Sequence, residues 1–373
     1  MKRPEVRLSA AVMAHPRRAG AAGELARRIV ELDPVVVTDP APTGATLTTA
    51  RLAWAAVGDS ATHHLVLQDD VLLGLEFTTR IREAIGDRPD AVLAFFVDWG
   101  TRSANVARIA AMRGDRWIEV CDGFVPAQAL VLPAALARTF GDHKADDDVP
   151  DDVALYEHTR DHDRYVHVVN LADHDDVPSE VGNQFMGARR SVCYHQDPQE
   201  LEFGTGTTTG LIGVPIFSWV NGKGNVHFRR DPDSGDWFKV HALTALRLHG
   251  MSDSMLESPF RSALTGLGTT ARRAMEPWAW ELWLTAVALG TVAGGGRAAT
   301  TGTATAATAL STLTPGGLRN FLTGDDLSAI HRAAGEFAAA GAEAGIASVR
   351  GESVASFGEV ELPEEYFTER RWP

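Results

Sequence analysis

Between residues 6 and 190, short apolar runs alternate with segments of helical period, and few folds accept that alternation. Val6 to Met13 reads as a first strand, and Ala21 to Leu32 as a helix with Leu25, Ile29 and Leu32 on one face. Val35 to Val37 is a second strand ending at Thr38-Asp39-Pro40, and Thr48 to Val57 is a short helix. The run His64-Leu65-Val66-Leu67 then stops at Gln68-Asp69-Asp70, Phe77 to Ile85 is helical, and Ala91 to Phe96 is another apolar strand. Strands that are apolar throughout belong to sheets covered on both faces. The expected fold class is therefore α/β, a Rossmann-type, mostly parallel sheet with helices on both faces.

Open sheets of this kind place their ligands at the carboxyl ends of the strands. That is where Asp69 and Asp70 fall. Two adjacent carboxylates at the end of a buried strand repel each other and lose solvation, which a divalent cation would relieve. A strand end that faces water is the plainer alternative.

Three features downstream extend the pattern. Asp122-Gly123-Phe124-Val125-Pro126 is a glycine turn feeding the apolar stretch Ala129-Leu130-Val131-Leu132, so that backbone at Gly123 could approach a sugar or acceptor closely. Asp151 and Asp152 follow Pro150 at the start of a helix, where acids also serve as caps. Val168 to Ser179 ends a strand with His174 among acids.

In order and spacing these features resemble glycosyltransferases of the GT-A fold, and in particular the family 25-like enzymes that include lipopolysaccharide and collagen galactosyltransferases. The resemblance rests on Trp54 with Leu65-Val66-Leu67-Gln68-Asp69-Asp70-Val71, on Gly123 with Ala129-Leu130-Val131-Leu132, and on Asp151, Asp152 and His174 to Ser179. It covers residues 6 to 190, and where the family usually shows Glu-Asp-Asp this chain has Gln68-Asp69-Asp70. The resemblance implies metal-dependent transfer of a sugar from a nucleotide-diphosphate donor, a UDP-sugar in the first place, to an acceptor hydroxyl with inversion. Asp70 and Asp69, with His174, would hold Mn²⁺ or Mg²⁺, while His15, Arg17, Arg18, Asp39, Gln68, Asp69 and Gly123 would border the nucleotide sugar. Asp152 or Asp151 would act as the base, with Asp152 the preferred choice. Two alternatives stand beside this reading: a sugar nucleotidyltransferase, and a non-catalytic binding protein that kept the fold, which the Gln68 replacement favours.

Composition restricts the partners. A formal net charge of -14 argues against general binding to nucleic acid or anionic membrane, so an anionic substrate needs local cations. His15-Pro16-Arg17-Arg18 after the first strand supplies some. The two cysteines, Cys121 and Cys193, and the lack of a secretion pattern after Met1-Lys2-Arg3 point to a reducing cytoplasm. Trp278 to Ala293 is apolar but interrupted by Glu281 and shorter than the ~20 residues of a bilayer span, which predicts a buried or interface helix.

Three domains are expected: a catalytic domain over 1–195, a hairpin-containing connection over 196–240, and a mainly helical region over 241–373 for acceptor binding or oligomerisation. Val214 to Val220 and Asn225 to Arg230, separated by Asn221-Gly222-Lys223-Gly224, form the hairpin. The Ala/Thr/Gly-rich stretch 294–312 reads as a flexible connection or a loosely packed helix pair, and Asp325 to Ala347 as a helix with acids at its start.

Overall fold

A computed structural model describes residues 5–40, 46–144, 146, 148–175, 183–202, 204–232 and 235–350. The chain divides into two compact units, one formed by Met1–Val97, Asp122–Phe185 and Arg189–Pro198, the other by Asp98–Cys121, Met186–Ala188 and Gln199–Pro373. It is an α/β protein with a mostly parallel sheet.

The first unit opens with β1 (Leu8–Ala14), α1 (Ala19–Arg28), β2 (Val35–Thr38), α2 (Leu47–Ala55), β3 (His63–Gln68), β4 (Val71–Leu73), α3 (Phe77–Asp87) and β5 (Val92–Ala94). Two elements of the second unit follow, α4 (Arg102–Arg113) and β6 (Trp117–Glu119). The first unit then resumes with β7 (Ala129–Pro133), α5 (Ala134–Gly141), α6 (Asp151–His158), β8 (Arg164–His167) and β9 (Ala172–His174). The expected helix over 21–32 ends early, at Arg28, and its last residues form a separate 3-10 turn over Val30–Leu32, with Asp33 beyond it at φ 47°. The β-branched pair Ile29-Val30 is a poor place to continue a helix.

The sheet of this unit runs in the order β8-β5-β7-β3-β1-β2. β1 is parallel to both β2 and β3, β5 is parallel to β8, and β7 is antiparallel to both its neighbours. Because β2 and β3 flank β1 on opposite sides, the connections through α1 and α2 move in opposite directions. Right-handed crossovers then place those helices on opposite faces. This reversal makes the carboxyl ends of β1 and β3 a topological switch point. β3 is buried from His63 to Leu67. Within it, His64 is bonded through Nδ1 to Ser9 Oγ at 2.8 Å and through Nε2 to the Ala53 carbonyl at 2.9 Å, and burial pushes it down to about 4, so it is a neutral core imidazole.

The second unit continues with β10 (Thr207–Thr208), which pairs with β6, and with β11 (Gly213–Ser218), β12 (Lys223–Phe228) and β13 (Phe238–His241). β11 and β12 form the expected hairpin, with Ser218 opposite Lys223 and Gly222 at φ +67°, and β13 adds a third antiparallel strand. Its helices are α7 (Ala242–Leu248), α8 (Asp253–Gly266), α9 (Thr269–Met275), α10 (Ala279–Gly294), α11 (Ala304–Ser311), α12 (Leu313–Leu318) and α13 (Gly324–Arg350). The stretch 294–312 thus includes a real helix, started by Thr303, whose side chain accepts from the Ala306 amide.

α10 is the apolar helix read from Trp278 to Ala293, and it is buried in the core of this unit, with Trp283 donating to the Leu256 carbonyl at 3.1 Å. No helix among the described residues is long and apolar enough to cross a membrane. α10 lies backbone to backbone against α13. A Cβ on Gly290 would overlap the Ala342 carbonyl oxygen, and one on Gly345 would overlap that of Val287. Glu281 interrupts the apolar run for a reason: its carboxylate accepts from Lys223 Nζ, the Gly224 amide and His241 Nε2, each at 3.0 Å. Burial opposes ionisation there, but the His241, Gly224 and Lys223 bonds outweigh it and hold Glu281 down at about 2.

Two outcomes are expected. Gly290→Val should destabilise the protein by about 3 kcal/mol or more, because carbonyl backbone cannot yield as a side chain can, and thermal unfolding will measure it. Glu281→Gln should cost about 2 kcal/mol at neutral pH. The folded-state value of Glu281 lies below its ordinary one, so its contribution is present above the ordinary 4.5 and is lost as pH falls toward about 2. The stability gap between wild type and Glu281→Gln should therefore close over that acid window in denaturant titrations.

Candidate functional site

β1 and β3 deliver their following turns to one place. In the ladder Met13 stands opposite Gln68, and Ala14 opposite Thr38 of β2, so His15, Asp39 and Asp69 leave the same edge of the sheet. The Asp39 amide donates to the Ala14 carbonyl at 2.8 Å. His15 caps the 3-10 turn Pro16–Arg18, accepting from the Arg17 amide through Nδ1 at 3.2 Å, and its own amide donates to Asp69 Oδ2 at 2.6 Å. That turn carries Arg18 back over the acids. Its Nη1 donates to Asp69 Oδ1 at 3.1 Å and to Asp70 Oδ2 at 2.8 Å. Arg17 is exposed beside it, and Gln68 is half-buried with its amide donating to the Gln128 carbonyl at 3.0 Å.

The acids end β3, but the chain does not leave the sheet edge freely. Val71 of β4 pairs with His174 of β9, and the Asp175 amide extends this ribbon by donating to the Asp70 carbonyl at 2.8 Å. The pairing sets His174 Nε2 at 3.3 Å from Asp70 Oδ2, so the late histidine does join the acids. The rest of its stretch, Asp176 to Ser179, lies outside the described residues. Arg189 donates to the same Nε2 at 2.7 Å. Arg190 reaches the His174 carbonyl at 2.9 Å and Asp173 Oδ2 at 3.3 Å, while the Ser191 amide and hydroxyl hold Asp173 Oδ1 at 2.7 and 2.9 Å. These four residues, Asp173 and Arg189 to Ser191, were not singled out from sequence. The signal available was a basic pair fifteen residues beyond an acid-rich strand end, which by itself marks only a charged loop.

Electrostatically this is a charge-balanced centre removed from water. The Asp69 and Asp70 side chains are 8% and 10% exposed, and that of Arg18 is 13% exposed. Burial pushes Asp70 up, but His174 and then Arg18 outweigh it and hold it down at about 2. Burial also pushes Asp69 up, and there the His15 amide and Arg18 offset only part of the rise. Asp70 Oδ1 and His174 Nδ1 are buried without a hydrogen-bond partner.

A second acidic group sits at the same edge. Because β7 is antiparallel, its first residue, Ala129, lies opposite Leu67 at the carboxyl end of β3. The turn containing exposed Gly123 precedes it, and the Val125 amide in that turn donates to the Asp152 carbonyl at 3.2 Å. Asp151 and Asp152 open α6 as expected. Their roles differ. Asp151 is buried, accepts from Thr46 Oγ1 at 2.5 Å and keeps Oδ2 unpartnered, whereas Asp152 is half-buried with Oδ1 accepting from the Val153 amide at 2.8 Å. Burial first, and the Asp151 charge second, push Asp152 up to about 6. No hydrogen bond or ion pair among the described residues joins this pair to Asp69 or Asp70.

For a divalent cation, the fit rests on the oxygen donors. Among the described residues, no group of three His, Cys, Asp or Glu is arranged to hold a metal. A Mg²⁺-like ion, however, binds through one or two carboxylates and completes its shell with substrate phosphates and water. Asp70, through its orphaned Oδ1, meets that requirement, while both Asp69 oxygens already accept from His15 and Arg18 and would have to be shared. His174 Nε2 lies 2.7 Å from Arg189 Nη2 and 3.3 Å from Asp70 Oδ2, and is the weaker candidate.

Neither family models nor curated proteins match this chain. The site is read from its own chemistry.

One measurement tests the inequality of the acids. Carboxyl-carbon NMR should show Asp152 titrating near 6, and Asp151→Asn should lower that value by removing a like charge while leaving the burial.

Proposed function

We propose that the chain is a glycosyltransferase of the GT-A type, similar to the family 25-like enzymes, that transfers a sugar from a nucleotide-diphosphate donor, a UDP-sugar in the first place, to an acceptor hydroxyl. The observation that carries this reading is the switch-point centre. An arginine-bridged pair of carboxylates at the carboxyl ends of β1 and β3 shares its sheet edge with a carboxylate whose proton affinity is raised toward neutrality.

The crevice outside a switch point is where such sheets bind nucleotides. Arg17 and Arg18, on the turn capped by His15, offer cationic donors for a diphosphate in an acidic protein. Asp39, at the end of the neighbouring strand, is placed for the ribose or base. A Mn²⁺ or Mg²⁺ ion held by Asp70 and Asp69 would supply Lewis-acid stabilisation of charge on the departing diphosphate. In the transfer itself, the acceptor oxygen bonds to the anomeric carbon as the bond from that carbon to the phosphate oxygen breaks, and the hydroxyl proton passes to Asp152. A carboxylate lifted to about 6 by burial is a stronger base than an ordinary aspartate and is still ionised at neutral pH. Attack by that route is opposite to the leaving group, and the configuration inverts. Asp151 is fully enclosed and bonded to Thr46, so its part is to hold the start of α6 and raise Asp152.

Incubation with Mn²⁺ and a panel of UDP-, GDP- and TDP-sugars should give slow hydrolysis of one donor with release of the nucleoside diphosphate. Asp152→Asn should reduce turnover by about 100-fold or more with nucleotide binding nearly intact. In the wild type, the rate at limiting donor should rise with pH through about 6, as the base ionises. Pyrophosphate-dependent turnover would instead mark a nucleotidyltransferase, and silence toward every donor would overturn the transferase reading.

A further inference from the structure

Arg189 is a cation that meets no anion among the described residues. It is half-buried, and its hydrogen bond is to a ring nitrogen, His174 Nε2, at 2.7 Å. The other arginines of the centre are matched with acids: Arg18 with Asp69 and Asp70, Arg190 with Asp173. Among the described residues no carboxylate forms an ion pair with Arg189. A guanidinium withdrawn from water and left with an imidazole keeps most of its donors for something else.

The bond it does make is also replaceable. Nε2 holds either the lone pair that accepts from Arg189 or the proton that would bind Asp70 Oδ2 at 3.3 Å, and cannot hold both. If Arg189 leaves, His174 has another partner within reach. The site therefore loses little when the guanidinium is drawn away.

We infer that Arg189 binds the phosphates of the donor: the guanidinium leaves His174 Nε2 and takes phosphate oxygens in a two-pronged contact. Phosphate is the anion this edge calls for, because the crevice outside a switch point is where such sheets bind nucleotides and planar guanidinium donors match paired phosphate oxygens. A diphosphate offers oxygens on two phosphorus atoms, so that Arg18 and Arg189 would grip it from two elements distant in sequence. This inference rests on the nucleotide-diphosphate reading above.

The test uses inorganic pyrophosphate in EDTA, so that only protein cations respond, and UDP with Mn²⁺ as a separate probe. Titration calorimetry on wild type, Arg189→Met and Arg189→Lys should show pyrophosphate affinity falling by about 10- to 100-fold in the methionine variant and partly recovering in the lysine variant. Nitrogen NMR of the histidines, with His174 assigned by its loss in His174→Gln, should show the His174 Nε2 resonance moving on pyrophosphate addition to the wild type. In Arg189→Met that resonance should be displaced from the start and insensitive to the ligand, a response that general loosening of the fold would not produce. Equal pyrophosphate affinity in wild type and Arg189→Met, or a His174 nitrogen that ignores pyrophosphate in the wild type, overturns the role of Arg189 and leaves the transferase reading standing if UDP still binds. Failure of the wild type to bind either probe overturns both.

Discussion

One guanidinium, that of Arg18, ties the turn after β1 to the turn after β3, and the centre at the switch point depends on it. Asp69 and Asp70 are neighbours in sequence and nearly closed off from water, so that each alone would raise the proton affinity of the other. Arg18 touches both, and the His15 amide fixes the remaining oxygen of Asp69. Removing one member of such a buried set costs about 3–5 kcal/mol, chiefly because the charges left behind are uncompensated. The short 3-10 turn over Pro16–Arg18 is what aims the guanidinium inward while Arg17 points to solvent.

Carboxylates at the same sheet edge are tuned in opposite directions. Asp70 has His174 and Arg18 beside it, which outweigh its burial, whereas Asp152 has burial reinforced by another acid. One group is thereby kept as an anion well into acid, and the other is set to take up a proton near neutrality. Pairs whose environments separate them in this way are the usual source of acid and base assignments.

Much of this was legible in the chain. The strand ends at Thr38 and Gln68, the acids at 69 and 70, the glycine turn at 123 and the helix start at Asp151 are local patterns, and each lies where the alternation of apolar runs put it. The resemblance grouped His174 with Asp69 and Asp70, but what brings it there was not legible, since its approach to Asp70 depends on the β4–β9 pairing of segments a hundred residues apart. Arg189 and the Ser191 clasp on Asp173 were not legible, because a basic pair in a loop says nothing of which acids it will meet. In the second unit the tryptophans are largely committed to packing: Trp283 is buried against Phe337, Trp280 meets Phe260 edge to face, and Trp237 lies under Arg102 and Arg229. The close approach of α10 and α13 was hidden for a related reason. Gly290 and Gly345 have the look of flexible residues in an Ala/Gly-rich sequence, and only the partner backbone shows that they are small by necessity.

The antiparallel strand β7 solves a problem that a wholly parallel sheet would leave. In a parallel sheet, the loop before each strand lies at the amino edge, away from the ligand crevice. For a strand the length of β7 that separation is roughly 16 Å. Reversing β7 brings the loop before it to the carboxyl edge, where the Gln68 amide meets the Gln128 carbonyl, and the Val125 amide in that loop holds the backbone of Asp152. Asp152 of α6, the proposed base, thus stands at the same edge as the acids of β3 without a long excursion of either chain segment. The sheet order is therefore part of the proposed chemistry: the direction of one strand sets which residues can act together.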